Sequence, residues 1–170
     1  MYGVTAATKH YMGVESEELQ GGLANGHACV ATGGMGTLLA ETRLPILNIL
    51  DAIWVNANPF PSVSCGPSTA YGEATRVNVL LASTDPVALD YWAAKRVLVQ
   101  TAIRIGYGDT HTLDPDNTVR SGLVEAFGVW LNLTRDELVR AGYAFSTDER
   151  RMNIHVSPDP LDLGAAPLPK

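Results

Sequence analysis

The sequence predicts an α/β domain with a mixed or mainly parallel sheet flanked by helices. Two apolar runs, residues 46–55 and 77–82, read as strands, and a helix signal follows the second run directly. Near-continuous apolar runs are typical of strands that are buried on both faces. With 170 residues, of which 46% are hydrophobic, the chain can form one domain with a sizeable core. We expect that domain to span residues 1–157 and a proline-rich tail to occupy residues 158–170.

The first half of the chain contains two further predicted elements and a long loop. Residues 27–32 (HACVAT) suit a short strand, and residues 37–43 (TLLAETR) suit a helix that Pro45 ends. Residues 56–74 hold three of the ten prolines and are expected to form an irregular loop.

The second half begins with the clearest helix signal in the chain. Asp85 is a preferred N-cap residue, and Pro86 suits the first helical position. Five residues recur at helical spacing, and the first four are expected to face the sheet: Val87, Tyr91, Ala94, Leu98 and Ala102. The T-x-x-E sequence at residues 134–137 predicts a capping box at the start of another helix, which Gly142 would close. Residues 151–156 are predicted to form a last strand.

Composition excludes several classes of protein. No run of about 18 apolar residues exists, so no membrane span is expected, and no signal peptide is visible at the start. We therefore expect a soluble protein, whose compartment the sequence does not indicate. The net charge of -6 argues against a broad nucleic-acid surface. Cys29 and Cys65 cannot supply four thiolates, so no iron-sulfur cluster is expected within this chain.

The candidate catalytic residues are Lys9, His10 and Asp51. Asp51 is expected to end an apolar strand, and polar groups at strand ends collect where α/β proteins bind ligands. Lys9 and His10 could bind an anion or exchange a proton near neutral pH, although a surface Lys-His pair reads the same way.

The candidate substrate-binding residues are Cys65, Gly66 and Asp85. For Asp85 a purely structural capping role is the competing interpretation, and Asp90 can be satisfied by nearby backbone or by Lys95. The sequence GGMG at residues 33–36 lacks the third glycine of a dinucleotide motif. No metal ligand set is assigned.

Four blocks of sequence resemble the family known as domain of unknown function 362. They are GVTAATKHYMG at 3–13, LPILNILDAI at 44–53, CGPSTAYGE at 65–73 and NVLLASTDPVALDYWAAK at 78–95. The resemblance implies the C-terminal half of a larger two-part fold, because family proteins usually carry a preceding half. It also implies an association with ferredoxin-type iron-sulfur proteins. This chain departs from the family at Lys9-His10 and at residues 56–64.

Two classes of function remain open at this point. The first is an enzyme, or half of one, with a cleft for a small anionic or metal-bound substrate. The second is a non-catalytic binding module that partners an iron-sulfur redox domain or protein, or the preceding half of the fold. An enzyme requires polar groups that converge in one pocket, whereas a module would show a flat apolar patch and scattered polar groups.

Overall fold

A computed structural model describes residues 34–59, 74–119 and 127–157. In these ranges the elements follow the order α1 (Gly34–Glu41), β1 (Asn48–Val55), β2 (Thr75–Ser83) and α2 (Pro86–Trp92). A π-helical segment (Ala93–Leu98), α3 (Val99–Arg104), α4 (Phe127–Arg140) and a 3-10 turn (Glu149–Arg151) follow. The predicted strand at 27–32, the middle of the long loop and the tail at 158–170 lie outside the described residues.

The strands β1 and β2 form an antiparallel pair. Asn48 lies opposite Ser83 and Asp51 opposite Leu80, with a bulge between Ala52 and Trp54. A mainly parallel sheet is therefore not supported: the described part of the chain combines helices with a small antiparallel sheet. The predicted strands themselves are confirmed, with β1 beginning two residues later than expected.

A long helical stretch crosses one face of this hairpin. It begins as α2, which contacts both strands, and continues without a break through the π segment into α3. A π-helix takes one more residue per hydrogen-bonded turn than an α-helix. This explains why Val99 is 7% exposed, whereas Leu98, expected to face the sheet, is only partly buried.

The core lies between α2 and α4. Val87 and Tyr91 of α2 pack with Leu131 and Leu138 of α4, and Leu138 is completely buried. The helix α1 packs against α4 at Gly36, where a Cβ atom would collide with the carbonyl oxygen of Thr134. Gly36 of the GGMG sequence therefore allows α1 and α4 to pack closely.

Two predictions for the C-terminal region are wrong. The helix α4 begins at Phe127, so the T-x-x-E sequence lies inside the helix and forms no capping box. Residues 152–157 form no strand and follow the 3-10 turn as irregular chain. Gly142 does follow the end of α4, in the left-handed conformation with φ of +93° that favours glycine.

Candidate functional site

Asp85 joins the end of β2 to the start of α2. One carboxylate oxygen accepts hydrogen bonds from the Val87 amide at 2.8 Å and the Ala88 amide at 2.9 Å. The Ser146 amide also donates to this carboxylate, and the Asp85 amide donates to Ser83 Oγ at 3.0 Å. Burial raises the pKa of Asp85, while the three backbone hydrogen bonds oppose that rise. The predicted N-cap is confirmed, and the carboxylate is committed to backbone donors.

Asp51 lies in the middle of β1 and does not end it. Its Oδ1 accepts a hydrogen bond from the Ile53 amide at 2.8 Å. Ile53 has no register partner on β2, since the bulge places two residues of β2 opposite it. The opposite side of the bulge contains Asn78, which has a φ of 57° and accepts a hydrogen bond from Arg76 Nε. The Asp51 side chain therefore satisfies a backbone amide at the bulge in the hairpin.

The structure does not bring the carboxylates of Asp51 and Asp85 together in one site. Asp85 follows Ser83, which lies opposite the first residue of β1, whereas Asp51 lies three residues further along that strand. At about 3.4 Å per residue, the two are on the order of 10 Å or more apart along the hairpin. The argument that carboxyl ends of parallel strands collect ligands does not apply to this antiparallel pair.

A cluster of charged side chains binds the π segment to the loop at residues 109–117. Lys95 Nζ contacts Asp114 Oδ1 at 2.9 Å and Asp116 Oδ2 at 2.7 Å. Tyr91 donates its hydroxyl hydrogen to Asp116 Oδ1 at 2.8 Å. This arrangement corrects the expectation that Lys95 satisfies Asp90.

The cluster around Lys95 keeps its charges at neutral pH. Desolvation by burial lowers the pKa of Lys95, but the hydrogen bonds that its ammonium group donates to the two carboxylates outweigh this and raise the pKa to about 12. The Lys95 hydrogen bond lowers the pKa of Asp116, and burial together with the Asp116 bond raises the pKa of Tyr91 to about 12. Groups that do not titrate near neutral pH are poor acid-base catalysts, so this cluster fastens the loop to the helix.

Asp90 differs from the other carboxylates. Burial raises its pKa to about 7, and its side chain is only partly accessible. Among the described residues no hydrogen bond or ion pair to its carboxyl group is found.

The exposed side of the hairpin is rich in apolar side chains. Ile49 is 70% exposed, Leu80 68% and Trp54 61%, and Ile46 and Leu47 precede β1 in exposed positions. Because cross-strand partners share a face, Leu80 and Asp51 lie side by side, as do Ile49 and Ala82. We define the outer face as the exposed side chains of both strands: Ile49, Asp51, Trp54, Arg76, Asn78, Leu80 and Ala82.

Four of the six predicted site residues, Lys9, His10, Cys65 and Gly66, lie outside the described residues. Their convergence with Asp51 stays a prediction. The described ranges hold no group of three or more His, Cys, Asp or Glu residues arranged for a metal ion. They also hold no helix with the length and apolar character that crossing a membrane demands.

Sequence reasoning missed the Lys95 cluster and the outer face. Asp114 and Asp116 lie 19 and 21 residues beyond Lys95 in sequence, so no local spacing announces their pairing. The outer face could be found only from the strand register, since its apolar residues look like core residues in the sequence.

These features define a small α/β unit in which a helix covers one face of an antiparallel hairpin and leaves the other exposed. The chain belongs to the family described as a domain of unknown function (DUF362), which matches residues 1–95 of the 170. The hairpin and α2 lie within that match. No curated protein and no solved structure matches the chain.

Proposed function

We propose that this chain is a binding module that docks on a folded protein domain through the outer face of its hairpin. The observation that carries the proposal is the exposure of Ile49, Leu80 and Trp54 on the same side of two paired strands. Exposed apolar patches on soluble proteins commonly mark interaction surfaces, and tryptophan is enriched among the residues that dominate binding energy.

The polar groups of the described residues support binding over catalysis. Asp85 accepts hydrogen bonds from backbone amides, and Asp51 accepts one from the Ile53 amide at the bulge. Lys95 forms ion pairs with two carboxylates. An active site needs polar groups that converge on a substrate, whereas these groups hold separate parts of the chain together. This distribution matches the scattered polar groups expected of a module.

The stability of the hairpin gives a second argument. An isolated two-stranded hairpin is marginally stable in water, and additional strands or a covering layer are needed. The helix α2 covers the inner face, and a partner would cover the outer face. Asp51, which lies opposite Leu80 and between Ile49 and Trp54 on β1, would lie within that contact, and Arg76 would lie beside Trp54. A partner with complementary charges would pair with them, and these pairs would set its orientation.

The partner that we propose is the preceding half of the family's fold, which the resemblance implies, within a longer chain or as a separate protein. The other partner that the resemblance suggests is a ferredoxin-type domain. Both would bury Trp54, so the two are compared in one experiment.

The test measures binding of this chain to the N-terminal half of a longer family protein, by calorimetry and by acrylamide quenching of tryptophan fluorescence. We expect binding, protection of Trp54 from quencher, and at least tenfold weaker binding by Leu80→Ser, because burial of a leucine side chain contributes about 1.5–3 kcal/mol. Ile103→Ser is the matched control, since Ile103 is 54% exposed on α3, outside the hairpin. Equal binding by both variants, or no binding by the unmodified chain, would refute the proposal. Binding by a ferredoxin-type domain alone would keep the docking face and replace the partner.

A further inference from the structure

The bulge in the hairpin fixes the position of one arginine on the outer face. Two residues of β2, Val77 and Asn78, lie opposite Ile53 of β1 at this point. Asn78 has a φ of 57°, in the left-handed region that asparagine tolerates better than most residues. Its Oδ1 accepts a hydrogen bond from Arg76 Nε at 2.9 Å. The guanidinium group of Arg76 is therefore held through Nε by a side chain that the bulge positions.

The other nitrogens of this guanidinium group remain available. Arg76 is exposed, and among the described residues nothing accepts a hydrogen bond from its Nη1 or Nη2. Asp51 is exposed on the same face, yet its Oδ1 accepts from the Ile53 amide and it forms no ion pair with Arg76 in the described part of the chain. With Nε in use, the two terminal nitrogens form a planar edge whose parallel N–H groups match the two oxygens of a carboxylate.

An exposed tryptophan lies beside this edge. Trp54 is the register partner of Arg76, and 61% of its surface is exposed. Cross-strand partners share a face, so a protein that covers Trp54 also removes water from the surroundings of Arg76. The attraction between a guanidinium group and an anion strengthens as the effective dielectric constant falls. Tryptophan and arginine are also the residue types that most often dominate binding energy. The pair Trp54–Arg76 therefore combines an apolar anchor with a cationic recognition group.

We propose that Arg76 binds a carboxylate group of the docked protein domain, from an aspartate or glutamate side chain, and that Asn78 is the positioning residue for its guanidinium group. This inference rests on the docking function proposed above and specifies the chemistry of the partner. The partner surface would cover Ile49, Leu80 and Trp54 with apolar groups and present a carboxylate next to the position of Trp54. Aspartate and glutamate are the anionic side chains of a folded domain, and each accepts two parallel hydrogen bonds from an arginine.

The carboxylate contact would fix the direction in which the partner lies on the hairpin. The outer face runs from Ile49 and Ala82 at one end to Trp54 and Arg76 at the other. A single charged contact at one end distinguishes the two directions, because the reversed partner would leave the guanidinium group covered and without an anion.

The experiment measures binding to the N-terminal half of a longer family protein by calorimetry, at ionic strengths of about 0.05 M and about 0.5 M. At the lower ionic strength we expect Arg76→Gln to bind at least tenfold more weakly than the unmodified chain and to lose most of the salt dependence. Arg76→Lys keeps the charge without the planar edge and should recover only part of the affinity. Arg104→Gln is the matched control, because it removes the same charge from an exposed position at the end of α3, outside the hairpin.

The role of Asn78 is tested by Asn78→Gly. Glycine adopts a positive φ readily, so the bulge keeps its conformation while Arg76 Nε loses its acceptor. We expect the NMR signal of the Arg76 Nε–H group to shift and to exchange faster with water in the free protein. The affinity should fall, by a smaller factor than in Arg76→Gln. A change in melting temperature with the Arg76 signal and the affinity unchanged would show that Asn78 has a structural role only.

Three results would overturn the carboxylate contact. They are full affinity of Arg76→Gln, an equal loss in Arg104→Gln, and a loss in Arg76→Gln that leaves the salt dependence unchanged. Full affinity of Arg76→Gln together with weak binding by Leu80→Ser would keep the docking face and remove only the carboxylate. No binding by the unmodified chain would remove both proposals. Amide substitutions of acidic residues on the partner complete the test, since the paired acid should give no further loss when it is combined with Arg76→Gln.

Discussion

Replacement of Gly36 by alanine tests the contact between α1 and α4. At this position the two helices approach so closely that a Cβ atom would collide with the carbonyl oxygen of Thr134 and lie 2.7 Å from Glu137 Cβ. The carbonyl belongs to the backbone of α4, so it cannot rotate away as a flexible side chain would. Relief of the clash requires a shift of one helix against the other.

Two opposing terms set the magnitude of this effect. Alanine is favoured over glycine inside a helix by about 1 kcal/mol. Overpacking a close contact typically costs about 1–3 kcal/mol, and a clash with backbone belongs at the upper end of that range. We therefore expect Gly36→Ala to lower the free energy of unfolding by about 1–2 kcal/mol. For a chain of this size, the melting temperature should fall by about 2–8 °C.

Urea denaturation followed by circular dichroism measures the change, with Gly108→Ala as the control. No atom lies within 4 Å of a Cβ built on Gly108, and its φ lies outside the left-handed region. That control should be neutral or gain about 0.4–1 kcal/mol through the unfolded state. If Gly36→Ala were as stable as the control, helix packing at Gly36 would not be as close as the structure shows, and the GGMG sequence would need another explanation.

Three further substitutions test the junction at Asp85 and the cluster at Lys95. Asp85→Ala should lose about 1–2 kcal/mol of unfolding free energy, whereas Asp85→Asn, which still accepts hydrogen bonds from amides, should lose much less. Equal losses in calorimetry would show that the charge matters more than the acceptor. Lys95→Met should raise the pKa of Asp116 in an NMR titration, because the Lys95 hydrogen bond is the main cause of its lowered value. The stabilisation by Asp116 is present above its ordinary pKa and is lost as pH falls, and Lys95→Met should remove this acid sensitivity. An unchanged Asp116 titration would show that the ion pair does not persist in solution.

Local chemistry allowed the helix start at Asp85 to be predicted. An N-capping carboxylate followed by proline acts through atoms only two or three residues away, so the sequence contains the whole interaction. The π segment had no such signal. Val87, Tyr91 and Ala94 are buried as the helical spacing predicts, with Val87 and Tyr91 packed against α4. The wider turn at residues 93–98 moves the buried face from Leu98 to Val99.

The failed capping box shows the limit of short motifs. The T-x-x-E sequence satisfies the motif, yet α4 already begins seven residues earlier at Phe127, so the Thr134 amide lies within a formed helix. A local motif describes what a segment can do at a helix start, and only the surrounding chain decides whether a start is there.

The prediction of a mainly parallel sheet is the most informative error, because the apolar residues of the outer face led to it. A hairpin with one covered face should alternate apolar and polar residues. Burial does alternate along β2, and along β1 except at the bulge, where Ala52 and Ile53 are both covered. The sequence hides this alternation, since Ile49 and Leu80 occupy exposed positions where polar residues are expected. The composition of the apolar runs predicts strands covered on both sides, whereas the structure covers one side with α2. A partner on the outer face would supply the second cover and make the sequence pattern and the fold agree. A polar outer face would weaken this partner's contact while leaving the hairpin's inner packing on α2 intact, so the Leu80→Ser variant separates docking from folding.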